Sequence, residues 1–157
     1  VYYLLFIMGP QEWATPFTAG NMIRVYLAGH YSRKNAIRRA AFDLTTADVE
    51  VVSTWHEEKF APNVSIVSIS DSFLRRAAKR DRRELRQATH FVFFSVDPDF
   101  RFTRGGHCWE NGYADGLGLK VVVVGPRQHI FHYLKGRKHI STWEHALEWL
   151  IKKNRKQ

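Results

Sequence analysis

Cysteine is almost absent from this chain. Cys108 is the one cysteine in 157 residues, so no internal disulfide and no multi-cysteine metal site can form. That fits a reducing compartment, and a cytoplasmic protein is the expectation. Acidic residues are also scarce: 15 Asp and Glu stand against 24 Lys and Arg, for a net charge of +9. No apolar run approaches the roughly 20 residues that a membrane helix needs. Val1–Met8 (VYYLLFIM) is too short, lacks a preceding basic stretch and ends without an Ala-x-Ala cleavage site, so it reads poorly as a leader. Residues 1–22 are therefore set apart, as an upstream extension or fragment boundary, or else as an extra edge strand or dimer contact.

What is present suits a single domain. Hydrophobic residues make up 45% of the chain, enough for one core. The positive charge has two readings, basic helix faces kept in water or an anionic ligand such as a phosphate-bearing metabolite. Nucleic acid is disfavoured, because no zinc-finger spacing, aromatic RNA-binding motif or helix-turn-helix accompanies the charge. Arg75, Arg76, Lys79, Arg80, Arg82, Arg83 and Arg86 crowd one expected helix, and residues 154–157 form a basic tail.

From residue 23 to 153 the pattern alternates. Ile23–Ala28, Val49–Ser53, His90–Val96, Lys120–Gly125 and Lys138–Ile140 read as strands. Asn35–Leu44, Ser72–Ala88, Cys108–Gly118 and Trp143–Lys153 read as helices, and a short helical piece precedes Leu134. Thr54–Ser68 reads mainly as loop. The continuous apolar runs HFVFFSV and KVVVV mark strands covered on both faces. The expected fold is α/β: a five-stranded parallel sheet sandwiched by helices, flavodoxin-like or Rossmann-like. Ligands of such sheets sit beyond the carboxyl ends of the strands, which directs attention to residues 29–33, 95–110 and 125–131.

Glu110 stands near the start of a helix that follows the Gly105–Gly106 turn. A helix start favours a carboxylate, by ~0.3–1 kcal/mol. The same position also suits a Glu that merely complements the helix dipole. Asp97 directly follows a buried strand, a common place for catalytic side chains, but it also flanks Pro98 in a turn. Asp81 lies among arginines, where spacing alone favours an i,i+4 ion pair. Gly29, Tyr31, Ser32 and Arg33 could cradle a phosphate or ribose at a helix start, although they form no P-loop or G-x-G-x-x-G motif. His107, His129, His132 and His139 show no metal-binding spacing, and neither a metal nor a cofactor is expected.

Three segments resemble the nucleoside 2-deoxyribosyltransferase superfamily, which includes nucleoside 5'-monophosphate N-glycosidases. They are VYLAGHYSR (Val25–Arg33), RDRRELRQATHFVFFSV (Arg80–Val96) and GGHCWENGYADGLGLKVVVVGPR (Gly105–Arg127). The third, similar to that family's Glu-x-Gly-x-Ala helix and following strand, is the most specific. The resemblance implies that Glu110 attacks the anomeric carbon and that Asp81 assists proton transfer, with Asp97 a weaker carry-over. Gly29, Tyr31, Ser32, Arg33, Gly105 and Gly106 would contact substrate. It further implies cleavage of an N-glycosidic bond with retention, through a covalent sugar–Glu intermediate. A free nucleobase would accept the sugar in a transferase, and water in a hydrolase. A non-catalytic nucleotide-binding module remains the alternative outside the enzymes. Homodimers or larger homo-oligomers are implied, and the Gly125–His132 stretch is the expected point where a second subunit completes the site.

Overall fold

β1 (Arg24–Gly29) is buried along its interior because it sits in the middle of the sheet, between β2 (Glu50–Val51) and β3 (His90–Phe94). The computed structural model describes residues 22–59, 65–96 and 105–156. Within them, β4 (Lys120–Val124) and β5 (Lys138–Ile140) complete a five-stranded sheet of order β2-β1-β3-β4-β5. Every pairing is parallel, with Tyr26 beside Phe91 and Phe91 beside Val121. The expected architecture and the interior position of β1, β3 and β4 are thus observed.

Helices α1 (Lys34–Thr46), α2 (Asp71–Gln87) and α3 (Gly106–Gly116) lie in the first three crossovers, the β4–β5 connection carries the 3-10 turn Ile130–Tyr133, and α4 (Trp143–Asn154) follows β5. α1 and α4 touch each other, with α1 against β1 and β2 and α4 against β4 and β5. α2 and α3 likewise touch, and α3 packs on β1, β3 and β4. Trp143 Nε1 donates to Asp43 Oδ2 at 3.0 Å and ties α4 to α1. Alternation along β3 sorts its residues by face. His90 and Phe94 meet Trp149 and Trp143 of α4, while Phe93 meets His107 of α3.

Local chemistry sets the helix ends. Ser70 caps α2 by accepting from the Phe73 N–H, and Thr142 caps α4 by accepting from the His145 N–H. Ser32 does not cap α1. It lies within a 3-10 turn, Tyr31–Arg33, and its own N–H donates to His30 Nδ1. The segment expected as loop holds two further 3-10 turns, Trp55–Glu57 and Ile66–Ser68. On α2, Ala78 faces out. The inward positions of its second half belong to Arg80, Asp81, Glu84 and Leu85, so this helix presents charge as well as carbon to the protein interior.

Gly29 is required by packing. A Cβ there would lie 2.7 Å from Ile37 Cδ1 and 3.2 Å from the Phe94 carbonyl oxygen. Its absence lets α1 cross close over the end of β1. Gly105 has φ of 74° and turns the chain into α3, a conformation that L side chains rarely adopt.

Candidate functional site

Tyr26 projects from the centre of β1 toward α3, and its hydroxyl donates to Glu110 Oε1 at 2.6 Å. The ring is fully buried and stacks on Phe91 at a centroid distance of 5.9 Å. Burial, then the neighbouring Glu110 charge, raises the phenol well above its ordinary value, so it stays a donor. Glu110 is the fifth residue of α3 rather than one of the first turn, since the helix opens at Gly106. The dipole effect falls off within a turn. The expectation that a helix start keeps Glu110 ionised is therefore overturned. Burial of its carboxyl dominates and pushes it up to about 8, with the Tyr26 hydrogen bond and Arg80 pulling the other way.

Asp81 stands close enough for its charge to act on Glu110. Burial pushes Asp81 up to about 6, against the opposing pull of Arg80. The i,i+4 ion pair expected for Asp81 is not the arrangement found. Its partner is the adjacent Arg80, whose Nε and Nη2 donate to Asp81 Oδ1 at 2.9 and 2.7 Å. Arg80 Nη2 also donates to Glu58 Oε1 at 2.7 Å. Glu84, one turn further along α2, is buried and accepts from the backbone and hydroxyl of Thr54 at 3.0 and 2.7 Å. Two carboxyls above their ordinary range, held beside a phenol and a guanidinium, are equipped for nucleophilic and proton-transfer chemistry.

The first turn is arranged differently from a free cradle. The Arg33 guanidinium donates to the Ser95 carbonyl oxygen and lies over the Phe94 ring at 5.9 Å. It thus bridges the ends of β1 and β3. Ser32 Oγ and His30 Nδ1 lie 2.7 Å apart. Tyr31 packs on Trp55, and Lys34 Nζ lies 5.2 Å from the Tyr31 ring centroid. Gly29 serves helix packing. Gly106, by contrast, has open space where a Cβ would stand, next to the start of α3. Asp97 lies outside the described residues.

Sequence spacing gave no hint that several histidines meet. His107 of α3, with His129 and His132 of the segment after β4, gather around Phe93, at centroid distances of 5.3, 6.1 and 4.6 Å. His30 adds an edge contact to His107 at 5.9 Å. Burial lowers His107 and His132 to about 4, and the charges acting on them are cationic. The cluster comes from the turn after β1, from α3 and from the segment after β4, three parts of the chain widely separated in sequence, a juxtaposition only the fold creates. Among the described residues no three His, Cys, Asp or Glu stand as a metal site. Nearby, Ile130, Phe131, Tyr133 and Leu134 are exposed, Ile130 by 77% and Tyr133 by 68%.

Tyr26, Arg80, Glu58 and Glu84 were missed by sequence reasoning. Tyr26 carried a signal, as the one hydroxyl in an otherwise apolar strand core. So did Arg80 and Glu84, which continue the inward helical spacing of Ala77 toward Ala88. Glu58 carried none.

No family model matches the sequence, and no curated protein matches it. Solved structures do. The chain is similar to a 2-deoxyribosyltransferase from Bacillus psychrosaccharolyticus: 18% identity, TM-score 0.60, covering 79% of this chain and 90% of that one. It is similar to the CMP N-glycosidase BcmB of Clostridium botulinum: 19% identity, TM-score 0.53, covering 81% and 97%. A conserved protein from Enterococcus faecalis aligns with TM-score 0.52 at 16% identity, covering 83% and 98%. Fold and site together define a parallel α/β protein with a carboxyl pair against its central strands. Its fold is the one shared by that transferase and that N-glycosidase.

Proposed function

We propose that this chain is an enzyme that cleaves the N-glycosidic bond of a nucleoside or nucleotide, with Glu110 as nucleophile and Asp81 as proton donor. The observation that carries the reading is the Tyr26–Glu110 hydrogen bond beside Asp81, on a fold shared with enzymes of that bond. Cleavage develops positive charge on the sugar ring and negative charge on the departing base. An ionised Glu110 meets the first by attacking the anomeric carbon and a protonated Asp81 meets the second, so the reacting form is the minor one in which the proton that burial favours on Glu110 rests on Asp81 instead. Tyr26 favours the ionised Glu110 by donating to it. The sugar–Glu110 ester then passes its sugar to a second base or to water, with retention in either case.

Base transfer from a 2'-deoxynucleoside is the leading reaction. Hydrolysis of a deoxynucleoside 5'-monophosphate is the second, favoured by the open backbone at Gly106, at the start of the helix that carries Glu110. A second copy of this chain is the partner we assign to the exposed Ile130–Leu134 surface, whose apolar side chains a monomer would leave in water.

Incubation with a deoxynucleoside and a second free base, then with a deoxynucleotide alone, tests the reading. Base exchange supports transfer, and free base from the nucleotide supports hydrolysis. Binding without turnover of either sinks the enzyme reading and leaves a nucleotide-binding module.

A further inference from the structure

One guanidinium serves the buried end of α2. Glu58, Asp81 and Glu84 all lie around Arg80, the last with Nε and Oε1 4.0 Å apart. Arg80 is mostly enclosed, with 23% of its side chain exposed. Its two hydrogen bonds to Asp81 both fall on the same oxygen, Oδ1. Arg80 Nη2 is shared with Glu58, which anchors the guanidinium from a separate segment and stops it rotating away. Glu84 is already committed to Thr54. Asp81 Oδ2 takes part in none of these bonds, and it is not among the buried unpartnered atoms.

A carboxyl oxygen that accepts two N–H donors is a poor place for a proton, because the proton would face the donors. We propose that Arg80 is a positioning residue that, by occupying Oδ1, reserves Oδ2 of Asp81 for the proton delivered to the leaving base. This rests on the N-glycosidic reading above. In the step, the electron pair of the breaking C–N bond passes to the base nitrogen. That nitrogen takes the Oδ2 proton as a Glu110 oxygen bonds to the anomeric carbon. Asp81 is left as a carboxylate, already paired with Arg80, so no new charge separation is created. Glu58 tunes the arrangement, since it competes for the guanidinium and its charge disfavours the ionised Asp81.

The groups acting on Asp81 are Arg80, Glu84 and Glu58, and those acting on Glu110 are Tyr26, Asp81, Arg80 and Glu84. Their signs fix opposite outcomes for two substitutions. Arg80→Gln removes the cation, and Asp81 should then titrate about one pH unit or more higher, given that a neighbouring opposite charge moves a carboxyl by about 1–3 units. Glu58→Gln removes a like charge, and Asp81 should titrate lower. Carbon-13 NMR titration of the Asp81 carboxyl in the resting protein reads both, with thermal unfolding as a check on folding. In turnover, Arg80→Gln should slow release of an ordinary base by about 10–100-fold, part of the ~10²–10⁴ that a general acid supplies. The loss should shrink for nucleosides whose base leaves readily without protonation. Arg80→Lys, which keeps the charge and is the safer variant for folding, should recover part of it.

An Asp81 titration unmoved in Arg80→Gln and in Glu58→Gln overturns the proposal. So does a rate loss equal for all leaving bases. A wild-type protein that releases no base from any nucleoside or nucleotide instead defeats the N-glycosidic reading. The titrations then still decide whether Arg80 governs Asp81.

Discussion

The Tyr26 hydroxyl and Glu110 Oε1 are 2.6 Å apart, which places a phenol from the middle of the sheet against a carboxyl one helix away. Neither group meets another partner as close. Hydrogen bonds to charged groups contribute about 1.5–3 kcal/mol. Tyr26→Phe keeps the ring on Phe91 and removes only the donor. Turnover should fall by about 10–100-fold on that figure, and Glu110 should ionise at higher pH. A kcat/KM profile whose limbs coincide with those of the wild type would show that this bond does not serve the nucleophile.

Glu110→Gln should abolish turnover, because an amide cannot form the sugar ester. Its effect on stability is the more telling measurement. The folded protein holds the Glu110 proton up to about 8, whereas the unfolded chain releases it near the ordinary value of 4.5. Between those values the folded state binds more proton, so the native carboxyl costs stability as pH rises. Glu110→Gln should therefore be more stable than wild type at pH 8, with the gain shrinking toward pH 5. Chemical unfolding at the two pH values checks this, and a variant less stable at both would make Glu110 a structural residue.

His90 gives the opposite slope. It sits at the start of β3 beside Trp149, and burial, then Lys120 and Lys153, lower it to about 4 from an ordinary 6.5. The unfolded chain takes up its proton near 6.5 while the folded protein resists until about 4. Stability from this group is full above about 6.5 and is lost as pH falls toward 4, by up to about 1.4 kcal/mol per pH unit. His107 and His132 act in the same direction. His90→Phe should flatten the loss of stability between pH 6.5 and 4.5 without touching turnover. An unchanged slope would mean that His90 is protonated in the folded protein.

Gly29→Ala should destabilise the protein by about 1–3 kcal/mol, the usual cost of overpacking. Ile37 Cδ1 can retreat, but the Phe94 carbonyl oxygen cannot, since it belongs to β3. Ile37→Val in the same chain should recover part of the loss, a coupling expected of side chains in contact. Strict additivity of the two changes in urea unfolding would place the clash elsewhere.

Much of the scaffold was legible because water-avoidance writes itself in runs. HFVFFSV and KVVVV could be buried only as central strands, and the helices between them forced the parallel order. Glu110 and Asp81 were named through a resemblance, not through spacing. The sequence misled wherever charge points inward. Arg80, Asp81 and Glu84 read as a solvated face, yet Arg80 is held by Glu58 and Glu84 by Thr54, both on another segment, while Asp81 is paired with Arg80. Such compensation is tertiary, and periodicity cannot announce it. The depth of Glu110 was hidden for a similar reason. The left-handed Gly105 starts α3 two residues earlier than expected and moves the carboxyl out of the first turn.

Both margins of the sheet are short. β2 pairs through two residues and β5 through three, and their outer ends carry Glu50 and Lys138, both exposed. An edge so brief and so charged offers no template on which a neighbouring strand could zip. Among the described residues, the sheet's own edges therefore disfavour growth by sheet extension. The surfaces left for assembly among the described residues are helices and loops.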